Sequence, residues 1–204
     1  VGDSLNAAIG QGYVLTSPLQ LAVMTARIAS GLEVNPRMVR SVGGVARPSG
    51  VQGPLDLPRS WLDRARDGMF QVVNAPKGTA GGSKFDLAGM KWASQVRNIT
   101  TAERAKGVIS NEDLPWDRRD HALFVGYGPY ENPRYSVSVV VEHGGGGSTV
   151  AAPIARDIML YALNNGMPPL DAYPSRDREK VEGILSNLKL NPAISSRTAG
   201  TSEA

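Results

Sequence analysis

The strongest constraint on the fold is a strand–turn–strand–helix pattern in residues 121–163. Residues 121–127 are mainly aromatic and aliphatic, and residues 134–142 alternate along their length as an extended strand does. A segment rich in Gly, Pro and Asn joins the two runs, which predicts an antiparallel hairpin. Four glycines at 144–147 then precede a helical pattern at 150–163. The sequence therefore predicts a sheet with a helix laid across it.

The same pattern assigns side chains to faces. One face of the second strand is expected to contain Tyr135, Val137, Val139 and Val141. The other face is expected to contain Ser136, Ser138 and Val140. The helix is expected to place Ile154, Ile158 and Leu163 on one side and to stop at Gly166.

Composition limits the class of protein. The chain has 204 residues, 41% of them hydrophobic, which gives room for one domain with a core. Its 22 basic and 19 acidic residues leave a net charge of +3, too small and too dispersed to indicate a nucleic-acid partner. Cysteine is absent, which excludes disulfides and thiolate chemistry. No run approaches the ~20 apolar residues of a membrane span, and the non-methionine start favours a piece of a longer protein.

Two helices and an irregular excursion are predicted before the hairpin. The first helix is predicted to begin after Ser17, which can cap it, with Pro18 at the first helical position and Gln20 as the capping-box partner. It is predicted to run to Ser30, with Gly31 beyond its end. Its expected inner side contains Leu19, Ala22, Val23, Ala26, Ile28 and Ala29. The Gly- and Pro-rich residues 32–57 predict a surface excursion with a short hairpin near 38–45. A second helix is predicted at 59–73, with a core side of Trp61, Leu62, Ala65, Met69, Val72 and Val73.

The remaining segments are assigned more coarsely. Residues 87–96 are predicted to form a strand in which Gly89 allows another backbone to approach. Residues 98–119 are expected to be a loop with a short helix near 102–106. Beyond a domain at 1–166, residues 167–204 are expected to be separate. They comprise a Pro-rich linker at 167–175, an amphipathic helix at 176–190 and a disordered tail.

Local motifs alone name no reaction. His121 and His143 lack ligand-spaced partners, so structural roles are favoured over a metal site. No Gly-x-Ser-x-Gly elbow is present, and KGTAGG at 77–82 lacks the spacing of a phosphate-binding P-loop, which favours a turn. The glycines at 144–147 could cradle an anion at the helix start, although a flexible connection is the favoured interpretation. No cofactor is indicated.

Longer blocks carry a family resemblance. IGQGYVLTSPLQLAVMTARIASG at 9–31 resembles the segment after the Ser-x-Asn/Asp motif of class B penicillin-binding proteins, especially the elongation-type enzymes of alphaproteobacteria. GMFQVVNAPKGTA at 68–80 is similar to the helix and turn ahead of their Lys-Thr-Gly strand. Residues 119–158 resemble the last two strands and final helix. The resemblance implies the C-terminal portion of a penicillin-binding/serine β-lactamase-like transpeptidase fold, with an antiparallel sheet flanked by helices (α/β, more narrowly α+β).

The implied activity is that of a D,D-transpeptidase in peptidoglycan synthesis. A serine activated by a lysine attacks the stem peptide, and backbone N–H groups stabilise the oxyanion. Implied partners are peptidoglycan stem peptides, β-lactams and proteins of the elongation machinery. The implied location is the periplasmic side of the bacterial inner membrane.

The sequence departs from the family in two ways, and both weaken the assignment of the family's site residues to this chain. In the family, the nucleophile motif Ser-x-x-Lys and the Ser-x-Asn motif lie earlier than the part that this chain resembles, and their counterparts are predicted to be absent from this chain, so no catalytic residue is assigned in it. Where the family reads AGKTGTSQVR, residues 88–97 read AGMKWASQVR. Either Met90 or Lys91 stands for the motif lysine, and the two registers differ by one residue and reverse every side chain. The predicted substrate-binding residues are Lys91, Trp92 and Ala93. Without gaps, the Trp92 indole falls where substrate needs room.

Three functions follow. In the first, the chain is part of a transpeptidase and is inactive alone. In the second, it is a non-catalytic binding or scaffold module in which Trp92 fills a former cleft and a partner docks on the sheet edge. In the third, it is an anion-binding module. An incomplete sheet exposes edges and apolar faces, which predicts a homo-oligomer, a second chain or a rearranged architecture.

Overall fold

The computed structural model describes residue 4 and residues 15–99 and 110–188. The helices in this part are α1 (Pro18–Ser30), α2 (Arg59–Asn74), α3 (Ala152–Asn164) and α4 (Arg178–Asn187). The strands are β1 (Leu32–Val34), β2 (Ser41–Val42), β3 (Val45–Ala46), β4 (Val51–Pro54), β5 (Ala93–Ile99), β6 (His121–Gly128) and β7 (Tyr135–Val141). The short helix predicted near 102–106 and the tail from 191 lie outside the described residues.

Strands β5, β6 and β7 form one antiparallel sheet in that order. The β6–β7 hairpin is the one predicted, with Ala122 opposite Val141 and Gly128 opposite Tyr135. Strand β5 pairs with the other side of β6. The predicted short hairpin near 38–45 is present as β2 and β3, while the pairing of β1 with β4 was not predicted. The predicted antiparallel sheet with flanking helices is confirmed.

Helix α3 covers one face of this sheet and builds the larger core. Val137, Val139 and Val141 pack into that core, as their spacing predicts. The predicted inner side of the helix was partly wrong, because Leu163 is buried while Ile154 and Ile158 are 43% and 50% exposed. The inward residues are instead the small Ala152 and Ala155 and the larger Met159 and Leu160, all of which are buried against the strands. One π-helical turn, Gly147–Ala151, leads into the helix.

Helices α1 and α2 cover the opposite face. Ser136 on β7 donates a hydrogen bond to the Ala22 carbonyl of α1 at 3.1 Å, which joins helix to sheet. The predicted capping box at Ser17 is present, and Gly31 ends the helix in the left-handed region. The expected inner sides were wrong at Leu19 and Trp61, which are 57% and 60% exposed, and at Ala65, which is also exposed.

The predicted linker after α3 is an ordered part of the core. Ala172 and Tyr173 are buried against the α3 side, followed by Val181 of α4. Arg156, only 5% exposed, donates to Asp177 at 2.7 Å, and its guanidinium carbon lies 5.0 Å from the centre of the Tyr173 ring. The chain therefore packs continuously across residue 166, where a domain boundary was predicted. Within the described residues no helix is long and apolar enough to cross a bilayer.

Candidate functional site at the β5 edge

The three predicted substrate-binding residues lie where the chain enters β5, and only one of them presents its side chain to solvent. Lys91 is exposed, and its carbonyl accepts a hydrogen bond from the Tyr130 N–H at 2.8 Å. Trp92 and Ala93 are both 0% exposed. Any contact that Trp92 or Ala93 makes with a ligand therefore has to use the main chain.

The indole of Trp92 lies in the α3 core and not in a cleft, which corrects the expectation from the ungapped alignment and from the scaffold hypothesis. Its ring centre is 5.2 Å from that of Phe85 and 5.1 Å from that of Phe124. Gly126 makes room for it, since a Cβ at that position would stand 3.2 Å from the indole. The alternation of β5 turns this side chain away from the α1–α2 face.

A tight turn replaces the first half of the strand predicted at 87–96. Ala88 and Gly89 both have positive φ, at 52° and 79°, and the Met90 N–H donates back to the Leu87 carbonyl at 3.0 Å. Asp86 supports the turn by accepting from the Gly89 N–H at 2.8 Å. Gly89 is thus required for its left-handed conformation, as no atom approaches the position of its missing Cβ. The turn holds Lys91 at the mouth of the site.

Helix α2 contacts the start of β5 and the segment around Tyr130 through residues that were not predicted to belong to the site. Asn74 donates to the carbonyls of Trp92 and Phe70, each at 2.9 Å. Arg66 donates to the Tyr130 carbonyl at 3.2 Å, and the rings of Phe70 and Tyr130 are 4.6 Å apart. These helix residues are spaced by four, so they share one face, and that spacing was the available signal.

A pocket of about 580 Å³ opens at this corner. It is lined by Phe70, residues 88–91, residues 129–132 and Arg134. Its cations are Lys91 and Arg134, with Glu131 as the acidic side chain. The ammonium of Lys91 lies 6.0 Å from the centre of the Phe70 ring. The pocket therefore offers positive charge beside an aromatic wall, which suits a carboxylate on a small apolar group.

The outer edge of β5 is open within the described part of the chain, where β6 is its only paired neighbour. Main-chain groups of successive residues in an antiparallel strand point alternately to the two sides. The Lys91 carbonyl is bonded on the β6 side, so the N–H and C=O of Ser94 point to the open side. An extended peptide can add to such an edge by main-chain hydrogen bonds.

Electrostatics beneath the pocket depend on Tyr127, which is 0% exposed. Burial raises the pKa of its hydroxyl above the ordinary value, and the Arg66 guanidinium opposes that shift in part. The ring is stacked 6.2 Å from that of Tyr130. Tyr127 is therefore a neutral group under the site at physiological pH.

The histidines and the glycine loop lie away from this corner. The His143 N–H donates to His121 Nδ1 at 2.9 Å, and the two rings are 4.6 Å apart. Among residues 15–99 and 110–188, no group of three or more His, Asp or Glu side chains could hold a metal ion. The Gly145 N–H donates to the Asp120 carbonyl at 2.8 Å, so this amide of the loop already has a partner.

Comparison with known proteins identifies the class to which this architecture belongs. Residues 2–160 match the family described as penicillin binding protein transpeptidase domain. The chain belongs to this family, which confirms the resemblance and the fold inferred from the sequence.

Two individual relatives show which members of the family the chain is similar to. The chain is 35% identical to the peptidoglycan D,D-transpeptidase MrdA of Haemophilus influenzae, over 93% of this chain and 30% of that protein. It is 29% identical to MrdA of Escherichia coli K12, over 82% of this chain and 28% of that protein. The chain thus spans less than a third of the length of these relatives.

Solved structures agree with this placement. Pseudomonas aeruginosa PBP2 in complex with WCK 5153 superposes with a TM-score of 0.62 and 31% identity, covering 85% of this chain and 37% of that one. Helicobacter pylori PBP2 in its complex with MreC also gives a TM-score of 0.62, with 30% identity, over 80% of this chain and 28% of that one.

Proposed function

We propose that this chain is the C-terminal part of the transpeptidase domain of a peptidoglycan D,D-transpeptidase and supplies the strand on which the stem peptide docks. The observation that carries this proposal is the open β5 edge with the pocket of Lys91 and Arg134 at its start. The family match and the similarity to MrdA give the reaction class.

The direction of β5 brings the C-terminus of a docked peptide to the pocket. A peptide that pairs antiparallel with β5 runs from the Ile99 end toward the Ala93 end, so its C-terminus arrives beside Lys91. A free carboxylate there meets two cations and the Phe70 ring. In this arrangement Lys91 contributes its side chain, while the side chains of Trp92 and Ala93 are buried and leave the edge clear for the peptide.

The chemical step needs groups from elsewhere in the domain. A serine hydroxyl, deprotonated by a lysine, attacks the carbonyl of the penultimate D-Ala; the terminal D-Ala leaves, and an amine of a second stem then takes the acyl group. The outward N–H of Ser94 is placed to donate to the oxyanion. No residue of this chain is assigned as nucleophile or base, so the isolated chain is inactive.

Location and partners follow from the same assignment. The parent protein would act on the periplasmic side of the inner membrane, where stem peptides are cross-linked. The Helicobacter pylori PBP2 complex with MreC supports a protein partner in the elongation machinery, and the Pseudomonas aeruginosa complex with WCK 5153 supports small-molecule binding at this fold. β-Lactams would react with the nucleophile of the completed domain.

Fluorescent penicillin tests the proposal. We expect the isolated chain to show no covalent label on a denaturing gel, and label to appear when the preceding transpeptidase segment of Haemophilus influenzae MrdA is fused to its N-terminus. Lys91→Ala in the fusion should slow labelling about tenfold or more, equivalent to about 1.4 kcal/mol of lost transition-state stabilisation. Lys77→Ala removes another exposed lysine and should have no effect. Label on the isolated chain would contradict the assignment.

A non-catalytic binding module is the second candidate. It is favoured by residues 88–97, which read AGMKWASQVR and lack the Lys-Thr-Gly triplet. If the fusion binds stem peptide reversibly but takes no label, this function replaces the first.

A further inference from the structure

One face of α2 holds the main chain at the start of the open β5 edge. Arg66, Phe70 and Asn74 lie four residues apart and therefore project in nearly the same direction. Arg66 and Phe70 contact Tyr130, whose N–H is bonded to the Lys91 carbonyl. The third residue acts on the edge itself.

The Asn74 side-chain amide donates a hydrogen bond to a main-chain carbonyl, that of Trp92, which faces the open edge. The Lys91 carbonyl is bonded to the Tyr130 N–H, and the Ala93 oxygen lies 3.0 Å from where a Cβ of Gly126 on β6 would stand. Both carbonyls therefore point toward β6. Because directions alternate, the Trp92 carbonyl between them points outward, and it accepts from Asn74 Nδ2 at 2.9 Å.

We propose that Asn74 is a positioning residue that fixes the register of a peptide docked on β5. With the Trp92 carbonyl engaged, a docked strand exchanges its pair of hydrogen bonds with Ser94. Slipping toward the pocket by one hydrogen-bonded pair would require the Trp92 carbonyl to accept a second hydrogen bond beside the one from Asn74, and it would move the peptide by two residues, about 7 Å. Asn74 thereby keeps the peptide carboxylate beside Lys91 and Arg134. This inference rests on the proposed docking of a stem peptide at this edge.

The local contacts make the block specific to Asn74. The same amide nitrogen also donates to the Phe70 carbonyl of its own helix at 2.9 Å, which fixes the side chain against the strand. Aspartate at this position has no donor for either carbonyl. Alanine removes the block and adds no charge.

Nuclear magnetic resonance of the isotope-labelled chain, titrated with N-acetyl-Lys-D-Ala-D-Ala, tests the inference. In the unaltered chain we expect the peptide to shift the Ser94 amide and to leave the Trp92 carbonyl resonance in place. In Asn74→Ala the Trp92 carbonyl should respond as well, because two registers are then available. The apparent affinity should rise by at most about twofold, since a second register of equal strength only doubles the bound states. Gln71→Ala, which removes an exposed amide from the same helix, is the matched control and should behave as the unaltered chain.

Each outcome is decisive. If Asn74→Ala responds to the peptide as the unaltered chain does, the positioning role is wrong while peptide docking stands. If no β5 resonance responds in any variant, peptide docking fails and the positioning role fails with it. A measurement without substitution guards against a variant that does not fold: the Asn74 side-chain amide hydrogens should remain slow to exchange with peptide bound, and their release on binding would overturn the inference.

Discussion

The two faces of the central sheet differ in how completely this chain covers them. On the α3 face, Trp92, Phe85, Phe124 and Met159 are all at most 2% exposed and form a closed core. On the α1–α2 face, the buried cluster among residues 15–99 and 110–188 consists of Ala29, Met69, Ala93 and Tyr127. Beside that cluster lies an apolar groove of about 540 Å³, walled by Leu19, Val23, Met24, Ile28, Leu55, Leu57 and Leu62 with other α1 residues and Pro36. The closed face therefore supplies stability, and the open face carries the candidate site.

The largest expected effect is on the closed face. Trp92→Ala should lower the free energy of unfolding by about 3–5 kcal/mol, since it removes a fully buried indole packed between Phe85 and Phe124. Urea unfolding measures the change. Trp61→Ala, at a 60% exposed position on the open side, should change it by less than about 0.5 kcal/mol. Equal effects would remove the contrast between the faces.

The buried cation of the closed face should come next. Arg156→Ala should cost about 2 kcal/mol, because it removes the 2.7 Å ion pair with Asp177, leaving that carboxylate with Arg176 at 3.6 Å, and uncovers Tyr173. Limited proteolysis should then cut earlier in residues 170–188. The matched control is Arg59→Ala, which breaks an exposed pair with Asp63 and should cost less than about 0.5 kcal/mol.

A smaller effect is expected at the start of α1 on the open face. Ser17→Ala removes the acceptor for the Gln20 N–H and should cost about 1 kcal/mol. Gln20→Ala removes the reciprocal acceptor and, in a double mutant, should add less than its separate cost. Thermal unfolding of the three variants measures this coupling, and strict additivity would contradict a shared capping box.

The smallest effect at neutral pH belongs to two tyrosines, one on each face. Burial raises the pKa of Tyr127 and of Tyr173, with Asp157 adding to the shift at the latter. A raised folded pKa keeps the neutral form in the native state, so stability should be unaffected below pH ~10 and fall above it. Tyr127→Phe and Tyr173→Phe should each flatten this alkaline fall in stability. An unchanged slope in both variants would contradict the burial argument.

The sequence predicted the elements that its periodicity determines and failed where tertiary contacts decide. Period-2 alternation located β7 and its faces, and capping residues located α1. Nothing local distinguishes Ile158 from Met159 as the inward residue of α3, because that depends on how near the helix lies to the sheet. Likewise the linker prediction rested on prolines, whereas Tyr173 is held by Arg156 from a distant helix.

The candidate site likewise has features that could be predicted from the sequence and features that depend on tertiary contacts. Resemblance directed attention to residues 91–93, but the direction of the Trp92 side chain depends on where β5 begins, and a one-residue register choice reverses it. The contributions of Asn74 and Tyr130 arise from contacts across 18 and 39 residues of chain, which no motif encodes.

The packing of Trp92 against Gly126 of β6 has a consequence for how this corner can diverge. A Cβ at position 126 would stand 3.2 Å from the indole, 3.3 Å from the Phe124 ring and 3.0 Å from the Ala93 carbonyl oxygen. A side chain there therefore meets main chain as well as the two rings, so a smaller residue in place of the tryptophan does not by itself make room for it. In descendants of this chain the glycine is expected to persist after the indole has been exchanged.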